Sequence, residues 1–515
     1  MTAVSTIDSN STGLRYAEEA SFKVLPGSPV WRPLEPNSYG DFGGSITTIA
    51  RNPINDSRQR KKGVTTDLEA SGDFNTDLTQ TNLQDILQGF MFADLRLKGE
   101  EIVTAVDVDG ANPDEYEVAS STGFLVNSII KGSNFTNAAN NAVNVVTAIV
   151  ADTSIEVADG QLVAEASPPS DAQITVVGYQ FDSATLDVIV SGNFPVYSRA
   201  SGSVDFTTLG LIPGEWIFVG GDNASNRFVN TENNGFKRVK SVTATTIEID
   251  KSDSAMVAET GTGLLINAYF GRVLKNELGS SIVKRSYQLE RTLGAPDDAL
   301  PAQIQSEYIT GAIPSEFTMN IPAAEKITFD MAFIGADVEQ RTGATGVKSG
   351  SRPAIVEADA FNTSSDFSRI KLSQIVDGSE APTALFAFSE EITLTLNNNL
   401  AANKAVGTLG AIGISAGTFQ VGGSITAYFA DVAATQAVRN NVDITLDVIM
   451  VKSNTGIAID VPLLSLGDGR PTVEQDEAIR LPLTSEAATA AKYDANMDHT
   501  LMFVFFDYLP NLADS

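Results

Sequence analysis

The chain has 515 residues, 43% of them hydrophobic, a mean hydropathy of zero and a formal net charge of −30. It has no cysteine and one histidine, His499. That excludes disulfides, thiolate metal sites, cysteine nucleophiles and nearly every imidazole-based metal or general-base scheme. No apolar run approaches the ~20 residues of a membrane-spanning helix, and so acidic a chain lacks the basic face that tight nucleic-acid binding needs.

At roughly 100–200 residues per domain, the length implies two to four domains. The opening MTAVSTIDSNSTG has neither the basic start nor the apolar stretch of a secretory leader, so the expected place of synthesis and assembly is a cytoplasm. The densest basic stretch follows, with Arg51, Arg58, Arg60, Lys61 and Lys62 crowded around Asn52, Pro53 and Asn55. It reads either as a solvated hairpin loop or as a contact arm toward an acidic neighbour.

From Val64 to Asn75 the residues alternate. Val64, Thr66, Leu68, Ala70, Gly72 and Phe74 fall on one face, and Asp67, Glu69 and Asp73 share the other. A period of two with one polar face predicts a half-buried strand, or two strands hinged at Gly72. The stretch Thr81–Leu95 predicts a helix, because Leu83, Ile86, Leu87, Phe90 and Met91 make one apolar stripe.

Composition changes between Glu100 and Arg272. Here 22 acidic side chains stand against 8 basic ones, a net of −14, so a third of the chain carries nearly half of the negative charge. The segment also repeats itself. Gly123–Val157 and Gly210–Asp250 share Asn-Asn pairs, Asn140–Asn141 and Asn233–Asn234, 93 positions apart. Ile155 and Ile247 are 92 apart, so one gap reconciles the copies. Asparagine tolerates the left-handed backbone of tight hairpins, which suggests a turn at each pair. The reading is two small inserted β domains, 100–181 and 182–272, separable from a core made of 1–99 and 273–515.

Strand grammar resumes after the insert. Ile327, Phe329, Met331 and Phe333 alternate with polar or small residues, as do Ile392, Leu394 and Leu396, and then Val442, Ile444, Leu446 and Val448. The last set places Asp443, Thr445 and Asp447 on a polar face. Asp431–Asn441 predicts a helix capped by Asp431, and the alanine-rich Ser485–Tyr493 predicts another. His499 precedes the apolar run LMFVFF and reads as a strand-edge residue rather than a catalytic one.

No enzyme signature emerges. TGATGVKSG, Thr342–Gly350, lacks the glycine before the lysine of a phosphate loop. GTGLLIN, Gly261–Asn267, lacks the third glycine of a dinucleotide fingerprint. DVDGANPDE, Asp107–Glu115, clusters carboxylates without calcium-loop spacing, which leaves room for a weak divalent ion site at most. No cofactor is expected, and no catalytic or metal-ligating residue can be singled out.

The segments Leu14–Pro36, Gly43–Phe92, Ser389–Leu400 and Gly407–Asp431 together resemble the tail tube proteins of long-tailed bacteriophages. The resemblance covers roughly residues 14–96 and 275–510 and rests on strands and turns. It implies a mainly β fold: a β-sandwich or partly closed barrel with one flanking helix, plus the inserted domains. It implies a structural virion protein of the tail, not an enzyme. Six copies would close into rings, the rings would stack as a conduit for DNA ejection, and assembly would take place in the host cytoplasm. Partners would be the chain itself, a tape measure protein in the lumen, other tail proteins at the tube ends, and DNA only in transit, with no membrane. Arg51, Arg58, Arg60, Lys61 and Lys62 would then touch the adjacent ring, and Asp67, Glu69 and Asp73 would face the lumen. The competing classes are an extracellular β-rich adhesin or surface-layer subunit and a glycan-cleaving virion enzyme. Electron microscopy separates them, since rings or tubes favour a tail and sugar-binding monomers favour the others.

Overall fold

A computed structural model describes residues 7, 12–54, 56, 59–108, 113–199, 204–294, 304–386 and 388–514. The described chain is mainly β, with two α-helices. Six antiparallel strands form the first core sheet. In spatial order they are Lys61–Asp77, Thr328–Gly335, the second half of Gln305–Pro322, Ser389–Asn397, Gln420–Tyr428 and Arg480–Ala488. Alternation sends Phe74, Phe329, Met331, Phe317, Leu394 and Ile425 to one face, where they are buried together.

A second core sheet lies across that layer. It runs Phe367–Gln374, Ile444–Lys452, Thr455–Asp468, Met502–Phe506 and Arg272–Lys275. Thr455–Asp468 also pairs with Arg480–Ala488, which joins the two sheets at a corner of the sandwich. Val448, Met450, Ile457, Ile459, Phe503 and Phe505 point into the shared core. Their strand neighbours Ile449, Val451, Ala458, Val504 and Phe506 point the other way, into a second apolar layer with Trp216, Phe218 and Phe236 of the insert. A sheet buried on both faces carries nearly continuous apolar strands, which explains LMFVFF.

The first helix is shorter than the expected Thr81–Leu95, spanning Gln84–Met91. Phe92 ends it in the left-handed region, at φ 50°. Its Gly89 is required by packing, since a Cβ there would lie 2.3 Å from the Tyr287 hydroxyl. The second helix, Ala433–Arg439, falls inside the expected span, and the Asp431 carboxylate accepts from the Ala433 N–H at 2.7 Å.

Three expectations need correction. Ser485–Tyr493 is not a helix: Ser485 and Ala487 lie in the strand Arg480–Ala488, paired with Gly423 and Leu464, and only Ala490–Lys492 makes a short 3-10 turn. Pairing on both edges overrides alanine's helix propensity. The chain does not hinge at Gly72, because Lys61–Asp77 is one unbroken strand. Finally, Thr445 and Asp447 do not face water. Both are buried, because the insert covers that face.

Among the described residues, the thirteen strands between Glu100 and Tyr269 pair only with one another. In the first repeat six strands close on themselves, in the order Glu100–Asp107, Glu115–Val118, Ser154–Val157, Val143–Val150, Ser128–Ser133 and Gln173–Phe181. The second repeat follows the same order with Leu186–Ile189, Val196–Arg199, Thr246–Lys251, Gly235–Val242, Trp216–Val219 and Ile266–Tyr269. Its first strand pairs instead with the short Glu259–Thr260.

The asparagine pairs have a different job from the one expected of them. None of the four adopts a left-handed backbone. Each pair stands in a cage around a carboxylate. Glu165 accepts from the Thr136 and Asn137 N–H groups and from the side-chain amides of Asn137 and Asn140, at 3.1–3.2 Å. Glu259 accepts from the equivalent Val229, Asn230 and Asn233 groups at 2.7–3.2 Å. Tyr116 and Tyr197 donate to the carbonyls of Asn140 and Asn233, at 3.1 and 2.6 Å. Asn141 and Asn234 each clasp the backbone of a phenylalanine, Phe135 or Phe228. Burial alone would raise the Glu165 carboxyl, but these hydrogen bonds outweigh it and hold it below its ordinary value.

Candidate functional site

Two surfaces gather the residues singled out in the sequence. The first is the outer face of the six-strand sheet. Leu68, Ala70 and Phe74 are buried, and Asp67, Glu69 and Asp73 point away from the core, as the period of two requires. Register extends this face across the sheet. Asp73, Ala332, Glu316 and Asn397 lie in one row, and Asp77, Thr328, Asn320 and Thr393 in another. Asn75 and Asn320 donate to Asp330 at 2.9 and 3.1 Å, and Asn397 donates to Glu316 at 2.9 Å. Glu391 and Glu486 share the same outward phase.

Cations on this face are fewer, and they are engaged. Lys404 pairs with Asp67 and lies 3.3 Å from Glu69, while Lys326 holds Asp77 at 2.8 Å. The hydrogen bond from Lys404 keeps the Asp67 carboxyl below its ordinary value. Asp73 accepts from the Gly40 N–H at 2.8 Å. The result, among the described residues, is a wall of Asn, Thr and surplus carboxylate with its cations engaged rather than free to hold a phosphate.

The second surface is an arm. Gly43–Arg51 pairs with the first half of Lys61–Asp77, and the ribbon leaves the sandwich with both faces exposed. Arg51, Arg60, Lys61 and Lys62 are exposed and make no ion pair with a described residue. Arg58 lies outside the described residues. Ile46 sits opposite the buried Leu68 and Ile49 opposite Val64, with a register shift between the two pairs. Past the core's edge Ile46 on one face of the ribbon and Ile49 with Val64 on the other are uncovered. A second hairpin, Ala401–Lys404 with Ala411–Ser415, braces its base through Lys404 and through the Ala411 N–H to Ala336 carbonyl bond at 2.9 Å.

A family profile described as phage tail tube protein matches residues 9–487. The chain belongs to the phage tail tube protein family. No curated protein matches it. It is accordingly a structural protein of the bacteriophage tail, one that assembles with itself and associates with other tail proteins. The match runs through the insert as well as the core.

Other residues singled out in this tail tube protein have structural places. His499 is not at an exposed strand edge. It is fully buried at the seam between core and insert, and neither ring nitrogen has a hydrogen-bond partner among the described residues. Burial, with Lys275 and Arg238 nearby, presses its pKa down to about 3. Lys348 of the glycine loop reaches Glu339 at 2.7 Å and Gln288 at 2.8 Å. In the Asp107–Glu115 cluster, Asp109 lies outside the described residues, and Asp114 is buried, accepting from the Leu162 N–H at 2.6 Å. Among the described residues no group of three acidic or histidine side chains is placed to hold a metal ion, and no helix is long and apolar enough to cross a membrane.

Sequence reading missed the contributions of Glu316, Asp330 and Lys404. The first two alternate correctly within their own strands, so the period was visible. Only the cross-strand register shows that they share a face with Asp73.

Proposed function

We propose that six copies of this chain close into a ring and that rings stack into a tube whose lumen is the acidic face of the six-strand sheet. The observation that carries this reading is the layering. The polar face is on one side of the sandwich, and the insert covers the opposite side. If the polar face lines the channel, the insert falls on the outer wall, and the two inserted units, 100–181 and 182–272, project away from the DNA. Carboxylates along the channel repel phosphate, so DNA slides past without contacts that must then be broken. Ring closure also covers strand edges that a lone β protein must otherwise protect.

In this reading the tape measure protein fills the lumen before DNA does, other tail proteins close the tube ends, and assembly takes place in the host cytoplasm. The chain catalyses nothing. Arg51, Arg60, Lys61 and Lys62, with Arg58, reach the adjacent ring.

The test is charge reversal on the polar face. Glu69→Lys, Asp73→Lys and Glu316→Lys together leave tubes of normal length by electron microscopy, while timed DNA release from the same particles slows or stops. Release at the wild-type rate, or an image placing these side chains on the outer wall, would overturn the lumen assignment.

A further inference from the structure

The arm leaves the sandwich at one end of the sheet, and register fixes which end. Along the strands, the row Thr393, Asn320, Thr328 and Asp77 is followed by the row Asn397, Glu316, Ala332 and Asp73. The direction from the first row to the second leads on to Lys61 and the arm. From Leu68 to Lys61 the overhang is about 23 Å at ~3.3 Å per residue.

The opposite direction leads to Ser389, Tyr428 and Arg480, and there the chain presents a second unpartnered surface. The Tyr428 N–H donates to the Phe388 carbonyl at 3.2 Å, and the Phe429 N–H to the Ile479 carbonyl at 2.9 Å. The Thr472 N–H donates to the Arg480 carbonyl at 2.8 Å, holding the loop 469–479 against this end. Phe388 and Val473 are each 73% exposed, and Tyr428, Val432 and Ile479 are exposed beside them. This patch is rimmed by acid. Arg480 is already taken by Glu390, at 2.6 Å, and by Glu477. Glu474 and Asp476 are exposed and make no ion pair with a described residue.

The two ends therefore match in kind and oppose in sign. One carries bare aliphatic side chains beside four cations, and the other a bare aromatic and aliphatic patch beside carboxylates, neither set in an ion pair with a described residue. Two arms would repel each other, and so would two acidic ends. An arm on the far end of another copy buries both apolar surfaces and pairs both sets of charge. Such a head-to-tail contact does not close between two copies and propagates along an axis.

We infer that the acidic end patch around Phe388, Tyr428 and Ile479 is the receiving site for the arm of the next copy along the tube, Gly43–Arg51 with 61–67. This rests on the stacked-ring reading and assigns the surface that the arm meets. Ile49 and Val64 supply the apolar contact, and Lys61 and Lys62 face Glu474 and Asp476.

The experiment is a charge swap in the full-length protein, with tube growth followed by sedimentation and electron microscopy. Lys61→Glu with Lys62→Glu should raise the concentration needed for tubes by about a hundredfold, because facing like charges costs several kcal/mol. Glu474→Lys with Asp476→Lys should do the same. All four changes in one chain should restore tubes, and mixing the two defective proteins should give tubes in which they alternate. Ile49→Asp should block growth at every salt concentration, whereas the charge-reversed proteins should recover in part at high salt. The receiving site is wrong if wild-type tubes form but the fourfold variant grows no better than the double ones. If the wild-type chain forms neither rings nor tubes, the stacked-ring reading itself fails, which is a separate result.

Discussion

The two core sheets are built from the same alternating pattern, yet their outer faces end in opposite environments. Ser389–Asn397 keeps Glu391, Thr393 and Thr395 outside the core, on a wall open to water. Ile444–Lys452 carries Thr445 and Asp447 at the corresponding phase, and both are buried under the insert. Burying that face demanded partners for its charges. Lys251 of the insert donates to Asp447 at 2.7 Å and also holds Thr445, while Arg369 pairs with both Asp447 and Asp253. Arg238 of the insert lies 3.1 Å from both oxygens of Asp460, and the Trp216 indole N–H donates to Asp460 at 3.0 Å. Burial raises the pKa of an isolated carboxyl, but Lys251 and Arg369 outweigh that for Asp447 and hold it at about 2. Burial pushes Lys251 down to about 8. A polar strand face is thus compatible with water or with a charged partner domain, and what covers it decides which.

The strongest way to break this comparison is to remove the insert. Composition alone suggests a module that can be cut out. The seam predicts the opposite outcome. Joining residue 99 to 273 through a short Gly/Ser linker uncovers Ile449, Val451, Val504 and Phe506 and takes Arg238 from Asp460, Lys251 from Asp447 and Asp253 from Arg369. The expected result is an insoluble chain with no cooperative unfolding. A soluble, cooperatively folding deletion would show the seam to be dispensable.

A milder break leaves the insert in place and removes one seam charge. Asp460→Ala takes from the buried Arg238 one of its two carboxylates, leaving Asp250, and should lower stability by about 1–3 kcal/mol in urea unfolding. Arg238→Met in the same chain should deepen that loss, because it leaves the largely buried Asp250 without its cation. Glu391→Ala, at a matching position on the open face, should change stability by less than about 0.5 kcal/mol.

Acid probes the same seam. His499 has an unfolded pKa near 6.5 and a folded one of about 3. Below pH 6.5 the unfolded chain binds a proton that the folded chain refuses. Stability should therefore be fullest above pH 6.5 and fall by up to about 1.4 kcal/mol per pH unit down to pH 3. His499→Leu should flatten that slope in unfolding experiments run across the window. Asp447 adds a further loss as pH falls from about 4 towards 2.

The smallest expected effect separates the two inserted repeats. Glu165→Gln and Glu259→Gln keep the shape of each cage but turn an acceptor into a donor facing amides. Amide exchange should quicken around Asn137–Asn141 in the first variant and around Asn230–Asn234 in the second. The first repeat closes its six strands, whereas the second leaves a short edge. Exchange should therefore spread further from the cage in the Glu259 variant.

Much of this was legible before the fold was known. Leu68, Ala70 and Phe74 announce their burial by spacing alone, and the helix stripe from Ile86 to Met91 is equally plain. The repeat is visible in Asn140–Asn141 and Asn233–Asn234, although their purpose is not. The cage acceptors Glu165 and Glu259 stand 25 and 26 residues beyond Asn140 and Asn233, and no local rule links residues at that distance. Val64 shows the opposite limit. It is four residues from Leu68, the spacing of a shared face, but a register shift lies between them and Val64 is exposed beyond the edge of the sandwich.

The sequence by itself determined the strand-rich fold, the phase of each strand and the presence of an acidic, duplicated insert. These follow from i, i+2 spacing, turn chemistry and composition, which act over a few residues. The tertiary structure alone decided which polar face is left uncovered, which strand ends carry the exposed arm and the exposed end patch, and that Lys404 neutralises Asp67 from 337 positions away. Those outcomes depend on which distant strands pair and on what then packs over them. Periodicity fixes the two faces of a strand, but desolvation by a neighbour determines what each face becomes.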